Sequence, residues 1–395
     1  MFSSRTNWPL EPNRFARALE AHRRSGKRLI DLTASNPTVC GFVYPEREIL
    51  AALANPRALE YQPESKGLSE ARAAVAEYYA GRRSFSEHTA TVNPDQIVLT
   101  SGTSEAYSHV FRLLCEPGDE VLVPAPSYPL LEFLADLADV RLVAYPLLYD
   151  HGWQIDFSAL HAALTPRSRA IVVVHPNNPT GSFVKPREAE TLAEICRERR
   201  MAIVADEVFL DFADGVASAA SFAAGSGALT FALSGLSKIS ALPQMKLAWI
   251  VASGVETQAQ TAIDRLEIIA DTYLSPSVPV QLAARNFLEM RSAMQAQIKE
   301  RVAANLAFLD AELRQSSGIS RLEREGGWYA VLRVPVSGSD ESLAVELMER
   351  YSVLVHPGNF FGFSQEGHLV LSLIAAVADF QEGIRRIGEF FTQKR

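Results

Sequence analysis

The fold is decided by the stretch Ala170-Ile171-Val172-Val173-Val174-His175-Pro176-Asn177-Asn178, in which an unbroken apolar run ends in polar turn residues. A run that is apolar at every position is typical of a strand buried on both faces of a parallel sheet. Similar runs occupy residues 202–205 and 229–233, and further strands are predicted at 97–100 and 120–124, followed by helices at 104–114 and 128–138. Strands that alternate with helices imply right-handed crossovers, so the sequence predicts an α/β fold with a largely parallel sheet.

The last third of the chain has a different pattern. Helices are predicted at residues 257–272, 278–315, 342–350 and 380–392, and strands at 327–334, 353–356 and 368–373. This α+β pattern predicts a second, smaller domain. We expect a large domain over residues 46–290 and a small domain that combines residues 1–45 with 291–395.

The composition limits which binding partners and which cellular compartment can be expected for this chain. The 395 residues carry 38 basic and 46 acidic side chains, a net charge of −8, with no long basic stripe, so we expect no nucleic-acid partner. Cys40, Cys115 and Cys196 are far apart in the sequence, which argues against a disulfide framework or a metal site and favours the reducing cytoplasm. No apolar window of about 18 residues predicts a membrane span, and the first residues lack the apolar segment of a signal peptide.

Polar side chains directly follow four of the predicted strands, where ligands bind in open α/β sheets. Ser101-Gly102-Thr103-Ser104 opens a helix, and the free N–H groups and dipole of a helix start suit a phosphate, although Ser and Thr are also ordinary helix caps. His175-Pro176-Asn177-Asn178-Pro179-Thr180-Gly181 is a tight turn. It presents an asparagine amide at the edge of the sheet.

Two charged residues follow the next two strands. Asp206 closes a buried apolar strand and therefore needs a partner, either a protonated pyridine nitrogen or an arginine. Lys238 lies among apolar and small residues in Ser234-Gly235-Leu236-Ser237-Lys238-Ile239. Desolvation there would lower the pKa of the amine and make it nucleophilic, as Schiff-base chemistry requires, whereas the alternative is a solvated loop lysine. Lys246 is a second cation that could hold a phosphate.

Taken together and in this order, these segments resemble those of the class I/II pyridoxal-phosphate (PLP) aminotransferases, the aspartate aminotransferase-like group of fold type I. The resemblance extends from about residue 31 to the C-terminus. It implies a mainly parallel seven-stranded sheet flanked by helices, beside the smaller α+β domain. It also implies PLP as the cofactor, and a small-molecule amino donor and a 2-oxo-acid acceptor as substrates.

The resemblance implies a role for each site residue. Lys238 would form the Schiff base with the cofactor and would then transfer a proton between the substrate Cα and the cofactor. Asp206 would pair with the pyridinium nitrogen, Asn178 would hydrogen-bond the 3′-oxygen, and Tyr128 would stack on the ring. The other cofactor-binding positions in this protomer are Gly102, Thr103, Ser104, Phe209, Ser237 and Lys246. Tyr61 would reach the phosphate of the neighbouring subunit, which implies a homodimer with shared active sites.

Three positions depart from the family pattern. Phe209 stands where the family usually has tyrosine, so the pKa of the Schiff base on Lys238 should be higher than in relatives with that hydroxyl. Lys246 stands where the family usually has arginine, which keeps the charge but loses the bidentate fork. Val370, in His368-Leu369-Val370-Leu371-Ser372-Leu373, stands where the family has the arginine that clamps the substrate α-carboxylate.

Because a valine cannot bind a carboxylate, Val370 leaves the class of substrate undetermined by the sequence. Either another cation holds the carboxylate, with Arg333, Arg324 and Lys66 as candidates, or the substrate has no carboxylate there. The sequence therefore predicts a PLP-dependent aminotransferase that works through Lys238. The alternatives are a PLP-dependent lyase or decarboxylase, an amine-directed transaminase, and a non-catalytic PLP-binding protein.

Overall fold

The computed structural model describes residues 1–61, 63–85, 91–129, 131–214, 219–314, 318–336 and 338–393. Its helices are α1 (Arg14–Arg24), α2 (Glu46–Leu53), α3 (Ser69–Tyr79), α4 (Thr103–Leu114), α5 (Leu131–Leu137), α6 (Phe157–Ala163), α7 (Pro186–Arg199), α8 (Leu236–Ile239), α9 (Glu256–Tyr273), α10 (Val278–Leu282), α11 (Ala284–Glu289), α12 (Arg291–Leu313), α13 (Asp340–Tyr351) and α14 (Val377–Gln393). Its strands are β1 (Ile30–Asp31), β2 (Ile97–Thr100), β3 (Glu120–Ala125), β4 (Arg141–Tyr149), β5 (Trp153–Ile155), β6 (Ser168–Val174), β7 (Ala202–Asp206), β8 (Thr230–Gly235), β9 (Ala248–Ser253), β10 (Ser320–Arg321), β11 (Tyr329–Arg333), β12 (Val353–Leu354), β13 (His356–Pro357) and β14 (His368–Ser372).

The large sheet has eight strands among the described residues, in the order β2-β9-β8-β7-β6-β3-β4-β5. The pairs β4–β3, β3–β6, β6–β7 and β7–β8 are parallel, whereas β9 is antiparallel to both of its neighbours. The α/β fold with a mainly parallel sheet is thus confirmed. The predicted count of seven strands is one too low. A turn with positive φ at His151 and Gly152 folds β5 back onto β4, where it forms a short antiparallel edge strand.

Both faces of this sheet are covered, which explains the unbroken apolar runs. In β6, Ile171 and Val173 belong to one buried cluster, while Ala170, Val172 and Val174 belong to a second cluster on the opposite face. Successive side chains of a strand point to opposite faces, so a strand with two covered faces has no polar positions to alternate.

Several element boundaries differ from the sequence prediction. The helix expected from residue 128 begins at Leu131, because Pro129 disfavours helical geometry at Tyr128. The helix expected over 278–315 is three helices, α10, α11 and α12, with breaks at Ala283 and Met290. Strands β4 and β9 were not assigned from the sequence. β4 lies near the sheet edge with several exposed positions, so it lacks the buried pattern of its neighbours.

A second sheet has the order β10-β11-β14-β13 and is antiparallel throughout. It shares a buried core with α12, α13 and α14, to which Ile298, Leu347 and Phe380 contribute. Strand β1 pairs in parallel with β12, so the N-terminal segment packs beside the C-terminal third. The predicted domain limits at residues 45/46 and 290/291 stay predictions.

None of the described helices is long and apolar enough to cross a membrane. Within the same described ranges, no group of three or more His, Cys, Asp or Glu side chains is arranged to hold a metal ion.

Candidate active site

The site forms at one edge of the large sheet, where five strands end. β3, β6, β7 and β8 are parallel, and β2 shares their direction because it is antiparallel to β9, which is antiparallel to β8. Their carboxyl ends therefore lie side by side. The residues that follow or close them are the sequence-predicted ones: Gly102, Tyr128, Asn178, Asp206 and Lys238.

Asp206 is the last residue of β7, and its carboxylate is held by two donors. The Tyr107 hydroxyl donates to Oδ2 over 3.1 Å, and the backbone N–H of Val208 donates to Oδ1 over 3.2 Å. Burial raises the pKa of Asp206 to about 6, against the effect of these hydrogen bonds and of the Lys238 charge. A buried carboxylate with a raised pKa is stabilised by a cationic partner that binds its remaining lone pairs.

Lys238 lies on the short helix α8, directly after β8, and its amine is bounded by aromatic rings. Nζ is 5.8 Å from the centroid of the Phe209 ring and 5.2 Å from that of Trp328. Burial lowers the pKa of Lys238 to about 8, although the Asp206 charge acts in the opposite direction. About one tenth of such an amine is unprotonated, and therefore nucleophilic, at pH 7.

Strands β8 and β9 approach each other closely just before Lys238, and this approach positions the lysine. A Cβ added at Gly235, three residues before the lysine, would lie 2.7 Å from Ala248 Cβ and 2.9 Å from the Leu247 carbonyl oxygen. Only glycine permits β8 to run this close to β9. Ser237, on the same helix as Lys238, is partly buried.

The start of α4 has free backbone N–H groups of the kind that bind anions. Gly102 is the N-cap, and Thr103 and Ser104 begin the helix, so their backbone N–H groups have no partner within it. A Cβ built at Gly102 would lie 3.6 Å from Lys246 Nζ, which places the lysine amine beside this helix start. The structure therefore brings Lys246 and the predicted phosphate loop together.

Hydrogen bonds join the segment of Asn178 to the segment of Tyr128. Asn177 Oδ1 accepts from the Ser127 hydroxyl over 3.0 Å, and Asn177 Nδ2 donates to the Pro126 carbonyl over 3.0 Å. Tyr128 is 46% exposed, so one side of its ring remains uncovered. Burial and the nearby Asp206 charge raise the pKa of the Tyr128 phenol.

One atom of the Asn178 amide has no partner among the described residues. Its Oδ1 is buried and accepts no hydrogen bond from the described residues. In the same turn, Gly181 has a φ of +71°, and an added Cβ would lie 2.5 Å from the Gly326 carbonyl oxygen. Glycine is therefore required there, and the turn packs against the chain that leads to Trp328.

Tyr61 lies on the surface of the protomer. Its side chain is 73% exposed. The contacts described above for the other predicted residues do not include it.

Val370 is fully buried in β14 and cannot itself contact an anion. Of the three candidate cations, Arg324 Nη1 pairs with Asp214 at 2.6 Å, and Lys66 Nζ lies 3.9 Å from Glu267. Arg333 is exposed, and its guanidinium lies 5.6 Å from the centroid of the Tyr149 ring.

Sequence reasoning missed two supporting residues, Tyr107 and Asn177. Tyr107 lies inside α4 and 99 positions from its partner Asp206, so no local pattern links them. Asn177 belongs to the turn motif of the sequence, but the side chain that joins the turn to the segment of Tyr128 can be identified only from the contacts.

The fold and this edge define a class of protein, an α/β protein with a desolvated lysine amine and a buried carboxylate at the carboxyl ends of its parallel strands. The chain belongs to the aminotransferase class I and II family, whose model matches residues 27–385. This confirms the resemblance inferred from the sequence, and the protein is an enzyme that transfers amino groups.

Similar proteins agree with this assignment. Glutamate-pyruvate aminotransferase AlaA of Haemophilus influenzae is 27% identical over 381 residues, which cover 94% of this chain and 92% of the relative. Alanine aminotransferase of Mycobacterium bovis is 29% identical over 383 residues, 94% of this chain and 87% of the relative. An Escherichia coli aminotransferase structure matches with a TM-score of 0.84 at 25% identity, covering 98% of this chain and 99% of the other. Alanine aminotransferase from Pyrococcus furiosus, at 24% identity and a TM-score of 0.87 over 100% of both chains, shows the same fold.

Proposed function

We propose that the enzyme uses PLP to move an amino group between an amino acid and a 2-oxo acid. The observation that carries the proposal is the amine of Lys238, whose pKa burial lowers to about 8 and which lies within the electrostatic influence of the buried Asp206. Relatives named glutamate-pyruvate and alanine aminotransferases support L-glutamate, L-alanine and pyruvate as the substrates to test first.

The residues at the sheet edge fit PLP. The start of α4 and the Lys246 amine suit its phosphate, and Asp206 suits its protonated ring nitrogen. Asn178, just after β6, has a buried Oδ1 without a partner among the described residues, and its amide can donate through Nδ2 to the 3′-oxygen. The uncovered side of the Tyr128 ring offers a stacking surface.

When bound, PLP supplies an aldehyde that reacts with amines and a ring that accepts an electron pair. Lys238 contributes an amine with a pKa of about 8, suited to take a proton from the substrate Cα and return it elsewhere near neutral pH. Asp206 holds the positive charge of the ring nitrogen in place, and Tyr107 orients Asp206. The rings of Phe209 and Trp328 flank the lysine amine.

The test is a half-reaction on the PLP-loaded protein. L-Glutamate or L-alanine should convert the absorbance of the bound cofactor to that of its amine form, and pyruvate should reverse the change. Lys238→Ala should abolish the conversion, while Lys185→Ala, at an exposed lysine paired with Glu325, should leave it unchanged. Conversion at the wild-type rate by Lys238→Ala, or none by the wild type, would contradict the proposal.

We further propose a homodimer with shared active sites. Leu50, Leu59 and Tyr61 are exposed apolar side chains on neighbouring stretches of chain, as expected for a surface that a partner covers. Mixing Lys238→Ala subunits with Tyr61→Ala subunits tests this, because a mixed dimer contains one site with both residues intact only if Tyr61 acts across the interface. Restored cofactor binding and activity are expected, and no gain over the separate variants would contradict a shared site.

A cytoplasmic location is also proposed. Cys40, Cys115 and Cys196 are all free thiols in the structure, which suits a reducing compartment. Fractionation of the producing cells should recover the protein with cytoplasmic markers.

A further inference from the structure

The α-carboxylate of an amino-acid substrate needs a donor that Val370 does not provide. Arg324 and Lys66 already lie beside the carboxylates of Asp214 and Glu267. If the proposed function is right, another group near Val370 must bind the α-carboxylate of the substrate. The pairing of the small sheet shows which side chains are near.

The strand register places His356 next to Val370. Val370 pairs with Val331 of β11 on one side and with His356 of β13 on the other. Directly paired residues point to the same face and have Cβ atoms about 4.5–5.5 Å apart. The side chains of Val331, Val370 and His356 therefore form one row on one face of the sheet.

This face is turned towards the active site. Two residues along the strands, the pair Tyr329 and Ser372 lies on the same face. The Tyr329 ring centroid is 6.2 Å from that of Phe209, whose own ring is 5.8 Å from Lys238 Nζ. The row of Val331, Val370 and His356 is therefore adjacent, on the same face of the sheet, to Tyr329, whose ring contacts a ring beside the Lys238 amine.

His356 has free hydrogen-bonding capacity. Its Nδ1 is buried without a partner among the described residues. Its ring centroid lies 5.7 Å from that of Phe361, and the Phe361 carbonyl accepts the backbone N–H of Ser127, the residue before Tyr128. The imidazole therefore lies between the small sheet and the segment that carries the stacking tyrosine.

We propose that His356 binds the substrate α-carboxylate in place of the arginine that is absent at position 370. The inference rests on the proposed function and names its carboxylate subsite. The imidazole starts from the neighbouring strand, on the same face as Val370, and is partly exposed, so it can offer an N–H donor to an anion beside this row. Arg333 is the competing donor, but it is exposed and lies against Tyr149.

The test compares KM and kcat of the half-reaction for L-alanine and for ethylamine, the same donor without a carboxylate. His356→Ala should raise KM for L-alanine about tenfold or more and leave kcat/KM for ethylamine unchanged, since about 1.4 kcal/mol of lost binding is tenfold. His356→Gln, which keeps an N–H donor, should recover part of the loss. Val370→Arg in the His356→Ala background should restore KM, and His151→Ala, at an exposed histidine, is the matched control.

A direct binding measurement separates this inference from the proposed function. Propionate added to the cofactor-free protein should shift the imidazole NMR signals of His356 and leave those of His151 in place. Unchanged His356 signals, or an alanine KM that rises with Arg333→Gln and not with His356→Ala, would overturn the inference. A protein that converts ethylamine but no amino acid would overturn the proposed function, while the propionate titration would still decide the role of His356.

Discussion

Replacing Tyr107 with phenylalanine should weaken PLP binding in a pH-dependent way. The Tyr107 hydroxyl donates to the Asp206 carboxylate over 3.1 Å, and burial already raises the pKa of that carboxyl to about 6. A hydrogen bond to a charged group is worth about 1.5–3 kcal/mol, and one pKa unit is about 1.36 kcal/mol. Loss of the hydroxyl should therefore raise the pKa of Asp206 by about one to two units, to roughly 7–8.

The raised pKa lowers affinity because a protonated carboxyl cannot pair with the positively charged ring nitrogen. In the wild type, affinity should fall only as the pH drops below about 6. In Tyr107→Phe the fall should begin one to two units higher, so that at about pH 7 one half to one tenth of Asp206 is ionised and binding is about two- to tenfold weaker. Near pH 9 the two proteins should bind PLP about equally.

The assay is an absorbance titration of PLP into cofactor-free protein across this pH range. Tyr145→Phe is the matched control, because the Tyr145 hydroxyl is also buried and donates over 2.7 Å, but to the Val172 carbonyl within the sheet. Affinity curves for Tyr107→Phe that superimpose on the wild type at every pH would show that the Tyr107 hydroxyl does not keep Asp206 ionised, as would an equal shift in the control.

The remaining predictions concern three other positions. Phe209→Tyr should lower the pKa of the Schiff base on Lys238 by about one unit, the effect of one hydrogen bond of about 1.4 kcal/mol, and an absorbance titration that shows no shift would argue against it. Asp206→Asn should raise the unfolding free energy of the cofactor-free protein by up to about 3 kcal/mol at pH 7. Burial raises the pKa of Asp206 from 3.8 to about 6, so urea unfolding should show that gain shrinking as the pH falls from about 6 towards 4. Gly235→Ala should cost about 1–3 kcal/mol, since its Cβ would meet that of Ala248 at 2.7 Å, and an unchanged melting temperature would count against this.

Features that depend on local sequence could be predicted. A strand and the polar residue that closes it are neighbours in the chain, so Asp206 and Lys238 could be assigned to strand ends from the apolar runs alone. Parallel pairing then places such ends at one edge, which the register of β6, β7 and β8 confirms. The family followed from the order of these segments.

Features that depend on pairing between distant segments could not be predicted. The contact of Tyr107 with Asp206 follows from how α4 packs on the sheet, and the row of Val331, Val370 and His356 follows from strand register. The extra edge strand β5 depends on a turn with positive φ at His151, a conformation that sequence pattern does not signal at a non-glycine residue.

The central claim is that Lys238 is the amine that holds PLP. Borohydride reduction of the PLP-loaded protein, followed by proteolysis and mass spectrometry, reads out the modified lysine directly. The cofactor adduct is expected on the peptide that contains Lys238, and it should be absent in Lys238→Ala. An adduct on another lysine, such as Lys246, or no adduct in a protein that binds PLP, would contradict the claim.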